Sequence, residues 1–247
     1  MTIYRTPASL AASNCYIYRP SDKTRFVTLA LVPVWKKILA AATAANLKQV
    51  SLELGGKNPV VVFDDCDLEK AVTETVESIL RDTGQDRIVC RHISVQEGAY
   101  DKFVEAYRDA MEVRAKEFGD VNDLKTRFDP LLDELQSDRA LKQGDGKLLT
   151  RSSPLGFWFL PTAFIEVAEE SEITTKEIFG PVYIIREFKE GDRVISRANN
   201  SDYGLAAGVF TRDINRALRV AGEFETGMVG INCISHLFLN KPFGGYK

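Results

Sequence analysis

Between Gly55-Gly56 and Asp64-Asp65 the chain carries one unbroken apolar run, Pro59-Val60-Val61-Val62-Phe63, entered through Asn58. A strand with one wet face alternates apolar and polar residues, whereas a run that is apolar throughout must be covered on both faces. The segment Asn58–Phe63 is therefore predicted as an interior strand of a parallel sheet. Asp67 then stands where a helix N-cap is needed. The apolar positions behind it, Leu68, Ala71, Val72, Val76, Ile79 and Leu80, fall on one helical face.

The same reading extends along the chain. Strands are expected at Asn14–Pro20 and Gln49–Leu54, with an alanine-rich helix at Lys36–Leu47 between them. A further strand is expected over Ile88–Gln96. A long amphipathic helix follows over Tyr100–Phe118, aligning Phe103, Val104, Tyr107 and Met111, with Gly119 as its stop. Late strands are expected at Phe157–Phe159, Ala163–Val167, Tyr183–Phe188, Ala207–Phe210 and Val229–Asn232. A helix over Asp213–Phe224 separates the last two. Residues 120–153 are charged and weakly patterned. Strands alternating with helices make the fold class α/β with a substantially parallel sheet.

Composition narrows the function classes. The chain has 247 residues, 45% of them hydrophobic, enough for one large domain or two small ones. A net charge of −3 with scattered basic residues gives no electrostatic footprint for nucleic acid or an anionic membrane. Cys15, Cys66, Cys90 and Cys233 form no CxxC pair, and His92 and His236 lie far apart, so no metal site is expected. The N-terminus lacks a charged region followed by an apolar run, and no stretch reaches the roughly 18–20 apolar residues of a membrane span. A cytoplasmic setting with free thiols is the expectation.

Several segments carry a resemblance. Leu52 to Asp67 reads LELGGKNPVVVFDDCD, and Lys176 to Val182 reads KEIFGPV. Pro7 to Thr24 reads PASLAASNCYIYRPSDKT. Gly84-Gln85 is followed by Val95-Gln96-Glu97 and YDKFVEAY, and the chain closes with YGLAAGVFTRDINRALRV and PFGGYK. In this order they resemble the NAD(P)-dependent aldehyde dehydrogenase superfamily. The resemblance implies an aldehyde dehydrogenase-like catalytic domain over 84–235, a partial Rossmann-type remnant over 1–83 and a C-terminal segment over 236–247. It places Glu53 at the general-base position; the plainer reading is a hydrogen-bonded structural carboxylate. It places Glu177 and Phe179 where the nicotinamide ribose and ring are held; the plainer reading is a strand-edge acid and a core aromatic. Arg19 and Asp22 stand where lysine and glutamate contact the adenosine ribose, so NAD or NADP is the implied cofactor.

The departures bear on activity. Ungapped matching from Gln85 to Gln96 puts Arg87 on the nucleophile cysteine, and a guanidinium cannot attack a carbonyl carbon. A shifted register would bring Cys90 to that position, at the cost of two compensating indels in a tight loop. The family's GSTxxG turn has no counterpart, since no glycine precedes Gly55 and Trp35 stands at the helix entry. The oxyanion asparagine of a PWN-type motif is not found either. NAD(P) binding is therefore expected to be weak or absent. Three readings stay open. One is a truncated, pseudoenzyme-like protein without ordinary aldehyde oxidation. The second is a residual or remodelled oxidoreductase acting on a small aldehyde or carbonyl ligand through Cys90 or Glu53. The third is a noncatalytic subunit pairing with a full-length family member.

Overall fold

A computed structural model of the chain describes residues 55–120, 122–124, 126–128, 130–131, 146–149, 159–189, 191–234, 236, 241 and 243–247. Two compact units divide the chain: one comprises 1–52 with 238–242, the other 53–237 with 243–247. The strands expected at Asn14–Pro20 and Gln49–Leu54, the helix at Lys36–Leu47, and Arg19, Asp22, Trp35 and Glu53 all lie outside the described residues. The account below concerns the second unit.

In chain order its elements are β1 (Pro59–Val62), α1 (Leu68–Leu80), β2 (His92–Gln96), α2 (Glu97–Ala115), β3 (Lys147–Leu148), β4 (Thr162–Ile165), α3 (Glu172–Thr175), β5 (Val182–Phe188), α4 (Gly191–Asn199), β6 (Ala206–Phe210), α5 (Ile214–Glu223) and β7 (Met228–Ile231). One seven-stranded sheet runs β3-β4-β5-β2-β1-β6-β7, parallel except where the short β3 meets β4. This is the α/β class expected of the chain. The triple-valine run is central, hydrogen-bonded to β2 on one side and β6 on the other, with Val60, Val61 and Val62 fully buried.

The two faces are covered by different helices. Val60 and Val62 of β1, Ile93 and Val95 of β2 and Ile185 of β5 pack against α1 and α2 through Val72, Val76, Ile79, Phe103 and Tyr107. Asp67 caps α1 as expected, its carboxylate accepting from the Lys70 N–H at 3.1 Å. On the opposite face Val61 joins Phe188, Val194 and Ile195 of α4, and Val220 of α5. A third cluster on that face gathers Val167, Ile173, Ile178 and Ile184.

Three expectations need correction. The strand expected from Ile88 begins only at His92, because residues 88–91 spend their backbone groups elsewhere. The Cys90 N–H goes to Ser78 Oγ, the Arg91 N–H to the Asn58 carbonyl, and the Val89 carbonyl to the Asn58 side chain. The helix expected over Tyr100–Phe118 runs from Glu97 to Ala115 instead. Tight i to i+3 turns at Lys116, Glu117 and Phe118 end it before Gly119. Phe159 is buried but in no strand, while Phe157 lies outside the described residues. β1 lies between β2 and β6, so residues 59–62 share one sheet with the strands that follow residue 84. The helix α4, the single turn α3 and the edge strand β3 were not expected. Only Val194, Ile195 and the partly buried Ala198 are packed into the apolar core from α4 among the described side chains, too few for a clear period.

Candidate functional site

Three of the singled-out segments meet at the edge where β1 and β2 begin. Gly55-Gly56 lies between the loop 84–87 and the side chain of Glu177. The Gly56 N–H donates to Glu177 Oε1 at 3.1 Å, and a Cβ on Gly55 would stand 2.6 Å from Glu177 Oε2. A Cβ on Gly56 would overlap the Arg87 carbonyl oxygen. At Gly56, where the obstacle is backbone, only glycine allows this approach. Glu53 precedes this turn in the chain but lies outside the described residues.

The loop carrying Arg87 is crowded and bent. Asp82 and Thr83 have φ of 48° and 54°, and Gly84 has 70°. A β-branched threonine in that region is uncommon and is held there only by its surroundings. A side chain on Gly84 would overlap the Gly180 carbonyl. Asn58, 1% exposed, ties the loop down. Its Nδ2 donates to the carbonyls of Arg87 at 2.6 Å and Val89 at 2.7 Å, while its Oδ1 accepts from the Ala206 N–H at 3.1 Å. Arg87 itself is half-buried.

Arg91 is the larger surprise. It is fully buried, yet its guanidinium donates to the carbonyls of Gly180 at 2.9 Å, Gly84 at 2.8 Å and Asp86 at 3.2 Å. One cation thus clamps the Arg87 loop to the Ile178-Phe179-Gly180 turn. It also sits 5.8 Å from the centroid of the Phe179 ring, within cation–π range. Burial lowers its affinity for the proton, and the nearby Glu177 carboxylate raises it. Glu177 and Phe179 are each half-buried beside it.

Cys90 is placed differently from Arg87. It is fully buried two residues before β2, with Sγ 3.4 Å from the Thr75 carbonyl of α1. Burial pushes the thiol up to about 11. Lys57, 6% exposed, turns the other way along the same edge. Its Nζ donates to the carbonyls of Ile173 and Lys176. Burial, then repulsion from Arg91, lowers its amine to about 7. His92 is held neutral by burial and by the charges of Lys57 and Arg186, well below the usual histidine range. Arg91, Lys57, Asn58 and His92 were not singled out as site residues. The one available signal was charge inside apolar context, as at Arg91-His92 between Ile88-Val89 and Ile93.

The described residues hold no group of three or more potential metal ligands. No described helix is long and apolar enough to cross a membrane.

A parallel-dominated sheet brings a Gly-Gly turn, a glycine-bent loop and a Glu-Ile-Phe-Gly-Pro segment together at one strand edge of an α/β unit. The match to known proteins is specific. The aldehyde dehydrogenase family model matches residues 32–247, and the chain belongs to that family. It is 39% identical over 235 residues to an aldehyde dehydrogenase of Agaricus bisporus, covering 92% of this chain and 46% of that protein. It is 40% identical over 223 residues to retinaldehyde dehydrogenase 3 of Homo sapiens, covering 87% and 43%. Among solved structures, the NAD+ complex of an aldehyde dehydrogenase from Bacillus cereus superposes with a TM-score of 0.75 at 34% identity, over 85% of this chain and 44% of that one. The chain spans about half the length of the curated relatives it matches.

Proposed function

We propose that this chain is an aldehyde dehydrogenase-family protein that does not carry out ordinary NAD(P)-dependent aldehyde oxidation. The observation that carries this reading is the pairing of Arg87 with Cys90. Arginine occupies the position the resemblance assigns to the nucleophile, in a loop abutting the Gly-Gly turn and Glu177. The neighbouring thiol faces a helix carbonyl in the core. With its thiol pushed up to about 11, Cys90 holds about one part in ten thousand thiolate at pH 7.

The residues around the loop are a poor match for an oxidised nicotinamide. Glu177 already accepts from Gly56, and Arg91 already lies against Phe179. A cationic ring gains little beside the Arg91 guanidinium. Weak or absent NAD(P) binding belongs to the same proposal. The glycine-free stretch before Gly55 supports it, because it offers no tight turn for a pyrophosphate.

The test is NADH formation from short, long and aromatic aldehydes by wild type, Arg87→Cys and Cys90→Ala, with NAD titrated calorimetrically in parallel. The expected result is no turnover by any of the three and no micromolar NAD affinity. Turnover by wild type that vanishes in Cys90→Ala would show the shifted register to be right. Turnover by Arg87→Cys would show a better cofactor site than this reading allows.

A further inference from the structure

Lys57 stands just before the valine run, between two residues whose own positions are fixed. A Cβ on Gly56 would overlap the Arg87 carbonyl oxygen, and the Asn58 side chain is committed to three backbone groups. Long lysine side chains usually run over apolar surface and put the ammonium in water. Lys57 instead ends buried, its Nζ donating to the carbonyls of Ile173 in α3 and of Lys176 just after it. The neighbouring Gly56 N–H donates to Glu177 Oε1 at 3.1 Å. Three hydrogen bonds from two adjacent residues therefore fasten the segment 173–177 to the entry of β1. That segment leads directly into Phe179 and Gly180.

The hydrogens at Nζ do not match these acceptors when the group is charged. An ammonium carries three donors and no acceptor. A neutral amine keeps two N–H groups and a lone pair. Two protein acceptors meet Nζ among the described residues, so the neutral amine satisfies both and the ammonium has one N–H left over. The surroundings oppose the charge as well. Arg91, just before β2, and Arg186, on β5, disfavour it, the Glu177 carboxylate favours it, and His92 is neutral. Burial, then Arg91, outweighs Glu177 and brings the amine to about 7. Lys57, His92 and Arg186 line a cavity of about 410 Å³. Of the other charged groups on it, Lys176 and Asp202 are exposed, Glu169 holds Arg197 at 2.8 Å, and Lys247 is held by Glu225 at 2.6 Å.

We propose that Lys57 is a proton-operated latch: as a neutral amine it holds the Glu177-bearing segment 173–177 against β1, and on taking up a proton it releases that segment. Closing sets one proton free; opening returns an ammonium to water, where its ordinary value is 10.5. The sign follows from this. Between about 7 and 10.5 the open segment binds the extra proton, so opening becomes rarer as pH rises, by up to about tenfold per unit. Below about 7 both states carry the proton and the dependence fades. The latch acts on the segment that presents Glu177 and Phe179, and it needs no turnover at the Arg87 loop.

The experiment is amide hydrogen exchange of the full chain between pH 6 and pH 9, read by mass spectrometry and corrected for the intrinsic rate at each pH. Peptides covering 172–180 and the β2 strand, 92–96, are compared in the same sample. Protection of 172–180 is expected to stay below that of β2. It should rise by about twofold from pH 6 to pH 7 and by up to about fiftyfold from pH 7 to pH 9. Lys57→Met has no proton to release and should give a flat profile. Lys57→Arg keeps its charge and should leave 172–180 weakly protected at every pH. A flat wild-type profile would overturn the proposal, as would an equal rise in Lys57→Met. Equal protection of both peptides at every pH would overturn it too, by assigning the opening to unfolding of the whole unit. If Lys57→Met does not fold, the wild-type profile and Lys57→Arg decide.

Discussion

Replacing Asn58 with aspartate exchanges one NH2 for one oxygen and leaves the volume of the site almost unchanged. In the wild type that NH2 donates to the carbonyls of Arg87 and Val89, in a residue 1% exposed. In Asn58→Asp both carbonyls face an acceptor, while the bond from the Ala206 N–H survives. Each buried group left unsatisfied costs about 1–3 kcal/mol, so two of them cost about 2–6 kcal/mol. Against a typical domain stability of about 5–15 kcal/mol, that is a large fraction. A buried carboxylate facing two carbonyls also has its pKa raised. The sign follows directly. Between the ordinary carboxyl pKa and the raised one, the folded variant binds the extra proton, so its stability falls as pH rises through that window. As the pH is lowered, the protonated carboxyl regains one donor and the gap to wild type narrows. Urea unfolding at pH 5 and pH 7.5 measures both effects. A loss below about 1 kcal/mol at pH 7.5, or a gap that does not narrow at pH 5, would refute the assignment of Asn58 as the tie between loop and sheet.

Other consequences are open to direct measurement. Gly84→Ala should destabilise the fold by more than about 1 kcal/mol, since a left-handed φ and the Gly180 carbonyl both oppose a Cβ; chemical denaturation reads this, and an unchanged midpoint would contradict it. His92 is neutral in the fold but takes a proton when unfolded below its ordinary value of 6.5, so stability should fall as pH drops below that value, by up to about 1.4 kcal/mol per unit. His92→Leu should flatten that slope in pH-dependent unfolding, and a slope of undiminished steepness would assign the effect elsewhere. Under native conditions Cys233, which is half-buried, should alkylate well before Cys90, as mapped by mass spectrometry; early labelling of Cys90 would place its thiol outside the core.

Much of the sheet could be read along the chain. The valine run, the Asp67 cap and the late strands repeat local periodicities that depend only on neighbours in sequence. The positions of β5, β6 and β7 accordingly shift by no more than a residue at either end from expectation. The segment 88–91 misled because its apolar residues have strand character, while its hydrogen bonds go to Ser78 and Asn58, far off in the chain. Helix α2 ended early for a similar reason. Phe118 leaves the helix to bridge to Phe128, with their rings stacked at 4.7 Å, and no local glycine signal encodes that contact.

The candidate site divides along the same line. Arginine at position 87, the pair Glu177 and Phe179, and membership of an α/β oxidoreductase family were all written in the order of residues, because motifs are local. That Arg91 clamps Gly84 to Gly180, that Cys90 points into helix α1, and that Lys57, His92 and Arg186 surround one cavity are facts of three dimensions. They depend on contacts between residues far apart in the chain, such as Lys57 and Lys176, 119 positions apart. Such contacts arise only when parallel strands from distant parts of the chain lie side by side, so the charge of one strand becomes the environment of the next.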